Sequence, residues 1–355
     1  MIKRLAIVTL YDEINIGNKL QNYALQETLK GFANEVTTLT YSDSSPVLGW
    51  KGRLAYKLGF PKGIATEKRS IVDRWNRFRD FSKRYINTSE PISFSQYGKQ
   101  VNDTYDFFVV GSDQVWHNFT NSIDELNYFL LSFVDDKKKV CYAPSFGFES
   151  FPEQYLDKYR EGLERFRLLS CREQSGCKLI ERFLDRKAEL LADPTMLLDV
   201  NKWSSIEKKP EYTVPSQFIL SYFLGDRSYV FNDYINELSR NNGVPIIDIF
   251  DINNKEYYTT RPDEFLYLIK RAMYVCTNSF HGSAFSILFH KPLKIFGRND
   301  GEGKKMGGRI ATLIDQFGLE MNKDGIVDDY NGVNAILQEK REQARRYLVS
   351  ALSNE

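Results

Sequence analysis

The sequence predicts an α/β protein built from two Rossmann-like domains that face a central cleft. Short apolar runs alternate with longer stretches of helical period along most of the chain, which is typical of consecutive βα units. The alternation stops at a polar stretch over 198–215 and then begins again. A chain of 355 residues is also long enough for two domains of ordinary size.

The first half alternates in the manner expected of a parallel sheet. Apolar or alternating segments predict strands at 5–10, 36–41, 105–110, 139–143, 165–170 and 188–192. Apolar residues at helical spacing predict helices at 17–32, 66–85, 152–165 and 176–184. Between 42 and 98 the pattern is polar and punctuated by Gly and Pro before a charged helix, which indicates an insertion. We expect an N-terminal domain over 1–200 that carries this insertion.

The second half repeats the alternation. Its predicted strands are 218–223, 245–250, 274–277 and 293–296, and its predicted helices are 229–239, 262–271, 281–290 and 309–317. A charged helix over 333–352 follows. We expect a C-terminal Rossmann-like domain over 201–330 and then a separate helix over 331–355. Ligands of such folds collect where strand carboxyl ends meet helix N-termini, so candidate site residues are expected there.

Charge and composition exclude several classes of protein. The 48 Lys and Arg against 47 Asp and Glu give a net charge of +1, without the basic excess of a general nucleic-acid binder. The four cysteines form no CxxC pair and the three histidines are scattered, so no metal site is expected. The first apolar run meets an acidic residue too early for a signal peptide, and no stretch is long enough to span a membrane. We expect a cytoplasmic protein.

The first candidate ligand segment, NIGNKLQN, lies between the first strand and the first helix. It supplies Asn15, Gly17, Asn18 and Gln21. A glycine at this place lets backbone N–H groups approach a ligand, and the helix dipole favours an anion. The segment lacks the GxGxxG pattern of a dinucleotide site, and simple helix capping by Asn15 is the alternative.

A second candidate segment, GSDQVW, directly follows the apolar strand DFFVV. Polar or small residues at the carboxyl end of a strand are typical of a ligand loop in this architecture. Ser112, Asp113, Gln114 and Trp116 are its candidate binding residues. A tight turn anchored by a buried Trp is the alternative interpretation.

The third candidate segment, SCREQSG, begins where an apolar run ends and a helix starts. Its Arg172 can hold a carboxylate or a phosphate with two parallel hydrogen bonds. The alternative is an ordinary solvent-exposed pair of Arg172 and Glu173.

The fourth candidate segment, TNSFHGS, connects an apolar strand to an apolar helix. Asn278 or Ser279 can cap that helix, and Gly282 opens space beside its first turn, next to Ser283. His281 is the one histidine at a strand-to-helix crossover. A helix N-terminus disfavours the protonated ring and a bound anion favours it, so His281 would become a general acid when substrate arrives. A purely structural histidine is the alternative.

Two further segments have weaker patterns. The Gly-rich cationic stretch 298–309, which contains Arg309, suits an anion or a lid, with a solvated charge run as the alternative. The stretch 47–62 mixes Trp, Tyr and Phe with Lys and Arg. Such a segment can dock on the inner face of a membrane or on a lipid-linked substrate, and an insertion without that role is the alternative.

Taken together, five segments resemble the polysaccharide pyruvyl transferase family: NIGNKLQNYALQ, GSDQVW, CREQSG, ADPTMLL and SFHGSAFSILF. They occur in the family's order and at its spacing. The resemblance implies a GT-B-like fold and transfer of a pyruvyl group from phosphoenolpyruvate to a sugar, which leaves a pyruvate ketal. The acceptor would be a surface or extracellular polysaccharide or its lipid-linked precursor, with no bound cofactor. By the same resemblance, His281 is the catalytic histidine and Arg172 binds an anion.

The sequence departs from the family at two positions. Well-studied members carry an arginine two residues before the histidine, where this chain has Ser279. The cation expected to hold the donor carboxylate is therefore absent, and Arg298, Lys304 or Arg309 would have to replace it, unless the donor differs. Gly17-Asn18 also replaces the more usual Gly-Asp.

Pyruvyl transfer needs a proton donor, groups that hold an anion and a group that activates a hydroxyl, and each candidate residue has an expected role in it. His281 would donate a proton, Arg172 and Arg309 would hold the anion, and Asp113 would act as a base or bind the sugar. Two alternatives remain open. One is a GT-B-like glycosyltransferase that uses a nucleotide sugar, and the other is a non-catalytic glycan-binding relative.

Overall fold

The computed structural model describes residues 2–11, 14–41, 66–119, 121–225, 227–297 and 303–353. Within these ranges strands and helices alternate along both halves of the chain. The strands are β1 (Ile2–Val8), β2 (Ala33–Thr38), β3 (Phe107–Val110), β4 (Lys139–Cys141), β5 (Leu169–Cys171), β6 (Ala188–Leu190), β7 (Ile219–Tyr222), β8 (Ile246–Asp248), β9 (Tyr274–Thr277), β10 (Leu293–Ile295) and β11 (Ile326–Val327).

The helices fill most of the stretches between these strands. They are α1 (Ile16–Leu29), α2 (Thr66–Tyr85), α3 (Lys99–Thr104), α4 (Ile123–Phe129), α5 (Leu156–Glu164), α6 (Gln174–Leu184), α7 (Val200–Ser204), α8 (Tyr229–Asn242), α9 (Lys255–Tyr258), α10 (Pro262–Arg271), α11 (Phe280–Leu288), α12 (Gly303–Gln316) and α13 (Val333–Ala351). The predicted two-part α/β organisation is present.

The first half forms a parallel sheet in the order β2-β1-β3-β4, with β5 and β6 as a separate parallel pair. The inner strands β1 and β3 read as nearly continuous apolar runs because helices cover both faces of the sheet. Their ends align at Val8 and Val110, which pair in register. The loops that follow these strands therefore leave from one edge of the sheet.

The second half forms a sheet in the order β11-β10-β9-β7-β8, parallel except for β11. Tyr222 and Thr277 pair at the carboxyl ends of β7 and β9. Helix α11 begins three residues after β9, so its N-terminus lies at this edge. The proposed domain boundary near residue 200 lies between the two sheets.

Helix α2 has the limits predicted from the sequence, but it contacts both halves of the chain. The guanidinium of Arg74 is buried and donates to the carbonyl oxygens of Ile14 (3.3 Å) and Ile249 (3.2 Å). Arg77 forms a two-point ion pair with Glu264 at 2.7 and 2.8 Å. The described part of the predicted insertion thus joins the two sheets, whereas the sequence assigned it to the first domain alone. The segment 47–62 lies outside the described residues.

Helix α13 returns from the second sheet to the first. Its Ala344, Tyr347 and Leu348 are buried in the same apolar cluster as Leu5 and Ile7 of β1. The Tyr347 hydroxyl also donates to the carbonyl oxygen of Cys141 (2.8 Å). Among the helices of the described ranges, none combines the length and apolar character needed to cross a bilayer.

Candidate active site

The candidate site lies where the N-termini of α1 and α11 meet between the two sheets. Gly17, in the first turn of α1, lies against the imidazole of His281, in the first turn of α11. A Cβ atom on Gly17 would overlap Nδ1 of that ring. This position therefore requires glycine because of the close approach of the two helices.

Asp193 is the residue on which the polar groups of the site converge. Its side chain is fully buried, and Oδ2 accepts hydrogen bonds from Arg172 Nη1 (2.8 Å) and Ser112 Oγ (3.0 Å). Oδ1 accepts from the backbone N (2.9 Å) and Oγ1 (2.7 Å) of Thr195. His281 Nε2 lies 3.8 Å from Oδ2, too far for a hydrogen bond but close enough for the carboxylate to attract the ring when it carries a proton.

The charge state of Asp193 follows from these contacts. Burial alone would raise the pKa of this carboxyl, but His281 and Arg172 outweigh burial and hold the pKa below its ordinary value. Asp193 is therefore a carboxylate at neutral pH. Sequence reasoning quoted the surrounding ADPTMLL segment but gave this residue no role. The sequence signal that could have indicated a role is the Asp-Pro pair. It begins a short 3-10 turn in which the Asp193 side chain accepts from the backbone N of Thr195.

Asp113 is a second buried carboxylate in the cluster. Its Oδ2 accepts from Asn18 Nδ2 (2.6 Å), and its Oδ1 lies 3.4 Å from Arg172 Nη2. Burial again acts to raise the pKa of this carboxyl, but Arg172, His281 and Arg309 outweigh burial and lower the pKa below its ordinary value. The backbone of Asp113 has a φ of 73°, a region that costs energy for residues with a side chain and is concentrated at functional sites.

Arg172 does not have a free positive charge in this arrangement. Its side chain is 1% exposed, and its two terminal nitrogens lie against Asp193 and Asp113. The guanidinium carbon is 4.2 Å from the centre of the Phe280 ring. The solvent-exposed pair considered from the sequence is wrong, because Arg172 and Glu173 are both buried. Since two carboxylates already balance Arg172, holding a further anion requires a second cation.

Arg309 is a cation that the second half of the chain contributes to this cluster. It is 7% exposed, and its charge lowers the pKa of Asp113 and opposes the rise in the pKa of Glu173. Helix α12, which carries Arg309, contacts the start of α6 through Thr312 Oγ1, which accepts from Gln174 N (3.5 Å). Of the other two cations considered, Arg298 and the side chain of Lys304 lie outside the described part of the chain.

Glu173 is a third buried acidic group beside the two arginines. Its Oε1 accepts from Phe146 N (3.1 Å), and its Oε2 is buried with Ser145 nearby but has no hydrogen bond of good geometry from the described residues. Burial raises the pKa of this carboxyl even though Arg172 and Arg309 act to lower it. Glu173 therefore differs from the two aspartates, whose pKa values are lowered.

Several predicted binding residues instead support the loops of the site. Trp116 is fully buried in the first half, where its Nε1 donates to the Phe129 carbonyl oxygen (3.3 Å) and its ring packs on Phe146. Asn278 bonds to the backbone of Leu224 through both ends of its amide, at 2.7 and 2.8 Å. Trp116 and Asn278 thus hold two loops in place, and the structure gives neither an open face for a ligand.

The start of α11 is fixed by its own polar residues. Ser279 caps the helix, since its Oγ accepts from Gly282 N (3.3 Å), and Ser283 Oγ donates to the Ser279 carbonyl oxygen (3.0 Å). A Cβ on Gly282 would lie 2.5 Å from Thr277 Oγ1, so glycine lets the helix start close to β9. These contacts determine where the imidazole of His281 lies.

The start of α1 is fixed in the same way. Asn15 caps the helix by accepting from Asn18 N (3.1 Å), as in the simpler interpretation of this segment. Gln21 Nε2 donates to Thr9 Oγ1 (2.8 Å), and Thr9 Oγ1 in turn donates to the Ser112 carbonyl oxygen (3.1 Å). The second turn of α1 is thereby tied, through Thr9, to the loop that carries Asp113.

Comparison with solved structures identifies the fold. The putative UDP-N-acetylglucosamine 2-epimerase of Listeria monocytogenes matches with a TM-score of 0.50 at 9% identity, over 95% of this chain and 94% of its own. The Anabaena protein HepE, solved with UDP and glucose, gives a TM-score of 0.47 at 11% identity over 99% and 100%. The UDP-GlcNAc 2-epimerase of Neisseria meningitidis, bound to UDP-GlcNAc, gives 0.44 at 9% over 99% of both chains. The GT-B-like architecture is confirmed.

Sequence comparison identifies the family. No curated protein matches this sequence. A family profile described as polysaccharide pyruvyl transferase matches residues 15–299, which contain every predicted site residue except Arg309. This match covers well over half of the chain and agrees with the five segments noted in the sequence. The chain therefore belongs to the polysaccharide pyruvyl transferase family.

Proposed function

We propose that this protein transfers a pyruvyl group from phosphoenolpyruvate to a sugar of a polysaccharide or of its lipid-linked precursor, forming a pyruvate ketal. Family membership supports a transferase of polysaccharide biosynthesis. The observation that carries the finer proposal is the meeting of His281 and Arg309 from the second half with Arg172 and Asp113 from the first. This arrangement brings a proton carrier, two cations and a carboxylate together.

The charges of the cluster suit an anionic donor. Arg172 and Arg309 oppose the two carboxylates Asp113 and Asp193, so the group is close to neutral before substrate binds. A bound phosphoenolpyruvate would add negative charge beside the N-terminus of α11, where the helix dipole stabilises an anion. That added charge would also favour the protonated form of His281, as the proposed step requires.

The proposed reaction uses the residues in a defined order. His281 donates a proton to the methylene carbon of phosphoenolpyruvate, and the neighbouring carbon, C2, becomes electron-poor. A sugar hydroxyl forms a bond to C2 while Asp113 accepts its proton, and this proton later returns to His281 through solvent, which restores both groups. The C2–O bond to phosphate then breaks, a second sugar hydroxyl bonds to C2, and its proton leaves with the phosphate. The product is the cyclic ketal.

The described residues around the cluster shield its functional side chains from solvent. Asp113, Arg172, Asp193 and His281 are each less than a tenth exposed. We expect an open form that binds donor and acceptor and then closes, which excludes water from the reactive C2.

The proposal is tested by incubating the protein with phosphoenolpyruvate and free or lipid-linked galactosides and mannosides. Mass spectrometry should show the pyruvate adduct, with phosphate released in equal amount. His281→Gln should abolish release, whereas His290→Gln, at the other end of α11, should retain it. Thermal unfolding confirms that both variants are folded. Full activity of His281→Gln would overturn the assignment.

A nucleotide-sugar transferase is distinguished by ligand binding. Phosphoenolpyruvate should raise the unfolding temperature of the protein, and UDP and GDP should not. Stabilisation by UDP or GDP alone would reject the pyruvyl donor in favour of a nucleotide sugar. Binding of an oligosaccharide without any phosphate release would favour a non-catalytic role.

A further inference from the structure

The loop that carries Asp113 continues into a pair of stacked rings. His117 and Phe119 have ring centres 4.2 Å apart with an interplanar angle of 24°. Phe119 is 50% exposed, so half of this side chain is open to solvent. Phe148 lies 5.9 Å from the His117 ring and comes from the loop after the neighbouring strand β4. Because β3 and β4 are parallel, these rings lie on the sheet edge that also carries Asp113.

Gln114 lies between Asp113 and the stacked rings and has an unused donor. The residue is 8% exposed, and its Nε2 is buried without a hydrogen-bond partner among the described residues. A Cβ on Gly147 would overlap this nitrogen and would lie 3.1 Å from His117 Cδ2. The positive φ of Gly147 (68°) and this close approach together explain the glycine. A buried amide donor without a partner is destabilising, and a ligand oxygen would remove that cost.

We propose that Gln114, His117 and Phe119 form the subsite for the acceptor sugar. A pyranose ring has an apolar C–H face and a rim of hydroxyl groups. The exposed face of Phe119 would cover the apolar face of the ring, and the Gln114 amide would donate to a hydroxyl oxygen. Identifying this sugar as the acceptor depends on the proposed function.

The chemistry of the loop favours a neutral sugar over a phosphate or a nucleotide. Residues 113–119 contain no Lys or Arg, so the loop offers no cation to a phosphate. The subsite also adjoins the reacting groups, because Gln114 directly follows Asp113. A sugar held on Phe119 by its apolar face would direct its hydroxyl rim toward that carboxylate, as the proposed attack on C2 requires.

The test measures saccharide binding without the donor, so it does not depend on turnover. Methyl β-galactopyranoside and methyl β-mannopyranoside are titrated against wild-type protein by saturation-transfer NMR. Phe119→Ala should weaken the binding of at least one sugar roughly three- to tenfold, whereas Phe119→Trp should retain it. Tyr229→Ala is the matched control, since Tyr229 is 81% exposed on α8 of the other half. Equal binding by Phe119→Ala and Tyr229→Ala, or no binding to the wild type, would overturn the subsite.

A kinetic measurement separates this inference from the proposed function. If pyruvyl transfer occurs, Phe119→Ala should raise KM for the sugar and leave KM for phosphoenolpyruvate unchanged. A rise in KM for the donor alone would contradict an acceptor subsite. If transfer is absent but Phe119→Ala still loses saccharide binding, the proposed function fails and the sugar site stands.

Discussion

Asp193→Asn tests whether a buried carboxylate holds the catalytic cluster together. Asparagine keeps the shape of the side chain and the bonds from Thr195 to Oδ1. It removes the negative charge opposite Arg172, which lies 2.8 Å from Oδ2, and can turn an amide N–H toward two donors, Arg172 and Ser112. Removing one partner of a buried ion pair costs about 3–5 kcal/mol. We expect a value near 3 kcal/mol, because Asp113 still faces Arg172 at 3.4 Å.

For a chain of 355 residues, this loss should appear as a fall in unfolding temperature of about 4 °C at pH 7. Its pH dependence follows from the lowered pKa of Asp193. Such a carboxylate stabilises the fold above its unfolded pKa of about 3.9, and this contribution is lost as pH falls below that value. The difference in unfolding temperature between the wild type and Asp193→Asn should therefore be constant from about pH 7 to 5 and become smaller below about pH 4.

Differential scanning calorimetry across this pH range is the assay. Asp233→Asn is the matched control, because Asp233 is exposed on α8 and its replacement should change stability by less than about 0.5 kcal/mol. If Asp193→Asn unfolds at the same temperature as Asp233→Asn, or if the difference from the wild type does not become smaller in acid, Asp193 does not hold the cluster by its charge.

Two further substitutions probe the same cluster. Gly17→Ala adds a methyl group that overlaps the ring of His281, so it should cost about 1–3 kcal/mol and greatly reduce phosphate release, whereas Gly31→Ala should do neither because its Cβ has ordinary contacts. Glu173→Gln should be at least as stable as the wild type at pH 7 by calorimetry, since a raised pKa means that the folded state disfavours the charged form above about pH 4.3. If Glu173→Gln lost as much stability as Asp193→Asn, the raised pKa of Glu173 would be contradicted. Full phosphate release by Gly17→Ala would reject the contact with His281.

The sequence predicted the long elements well because their patterns repeat several times. Helix α2 spans 20 residues, and α10 begins at a proline that favours the first helical turn, so both limits agreed with prediction. The short helices α4, α7 and α9 have 7, 5 and 4 residues and were not predicted. One or two helical turns are too short for apolar residues to recur at helical spacing. A strand was predicted over 165–170, but β5 begins only at Leu169. Helix α5 extends to Glu164, and the Arg165 side chain pairs with Asp136 directly after it.

Only those residues of the candidate site that lie in a recognisable local sequence pattern were predicted. His281, Asp113 and Gly17 follow strands, so the ordinary rule for α/β folds brings them together. Asp193 lies in a short turn after β6, and nothing near it in the sequence shows that Arg172 will be its partner. Long-range pairing of this kind depends on the assembled fold. Trp116 was placed in the site because a polar loop ending in Trp looks the same whether the ring faces a ligand or the core.

The return of α13 has a consequence for how the protein is made. Its Tyr347 and Leu348 complete an apolar cluster that begins with Leu5 and Ile7. The ribosome adds these two sets of side chains at widely separated times, because they lie far apart along the chain. Until the second sheet has been synthesised, part of the apolar face of the first sheet therefore remains exposed to solvent. We expect chaperones that shield apolar segments of nascent chains to bind this face.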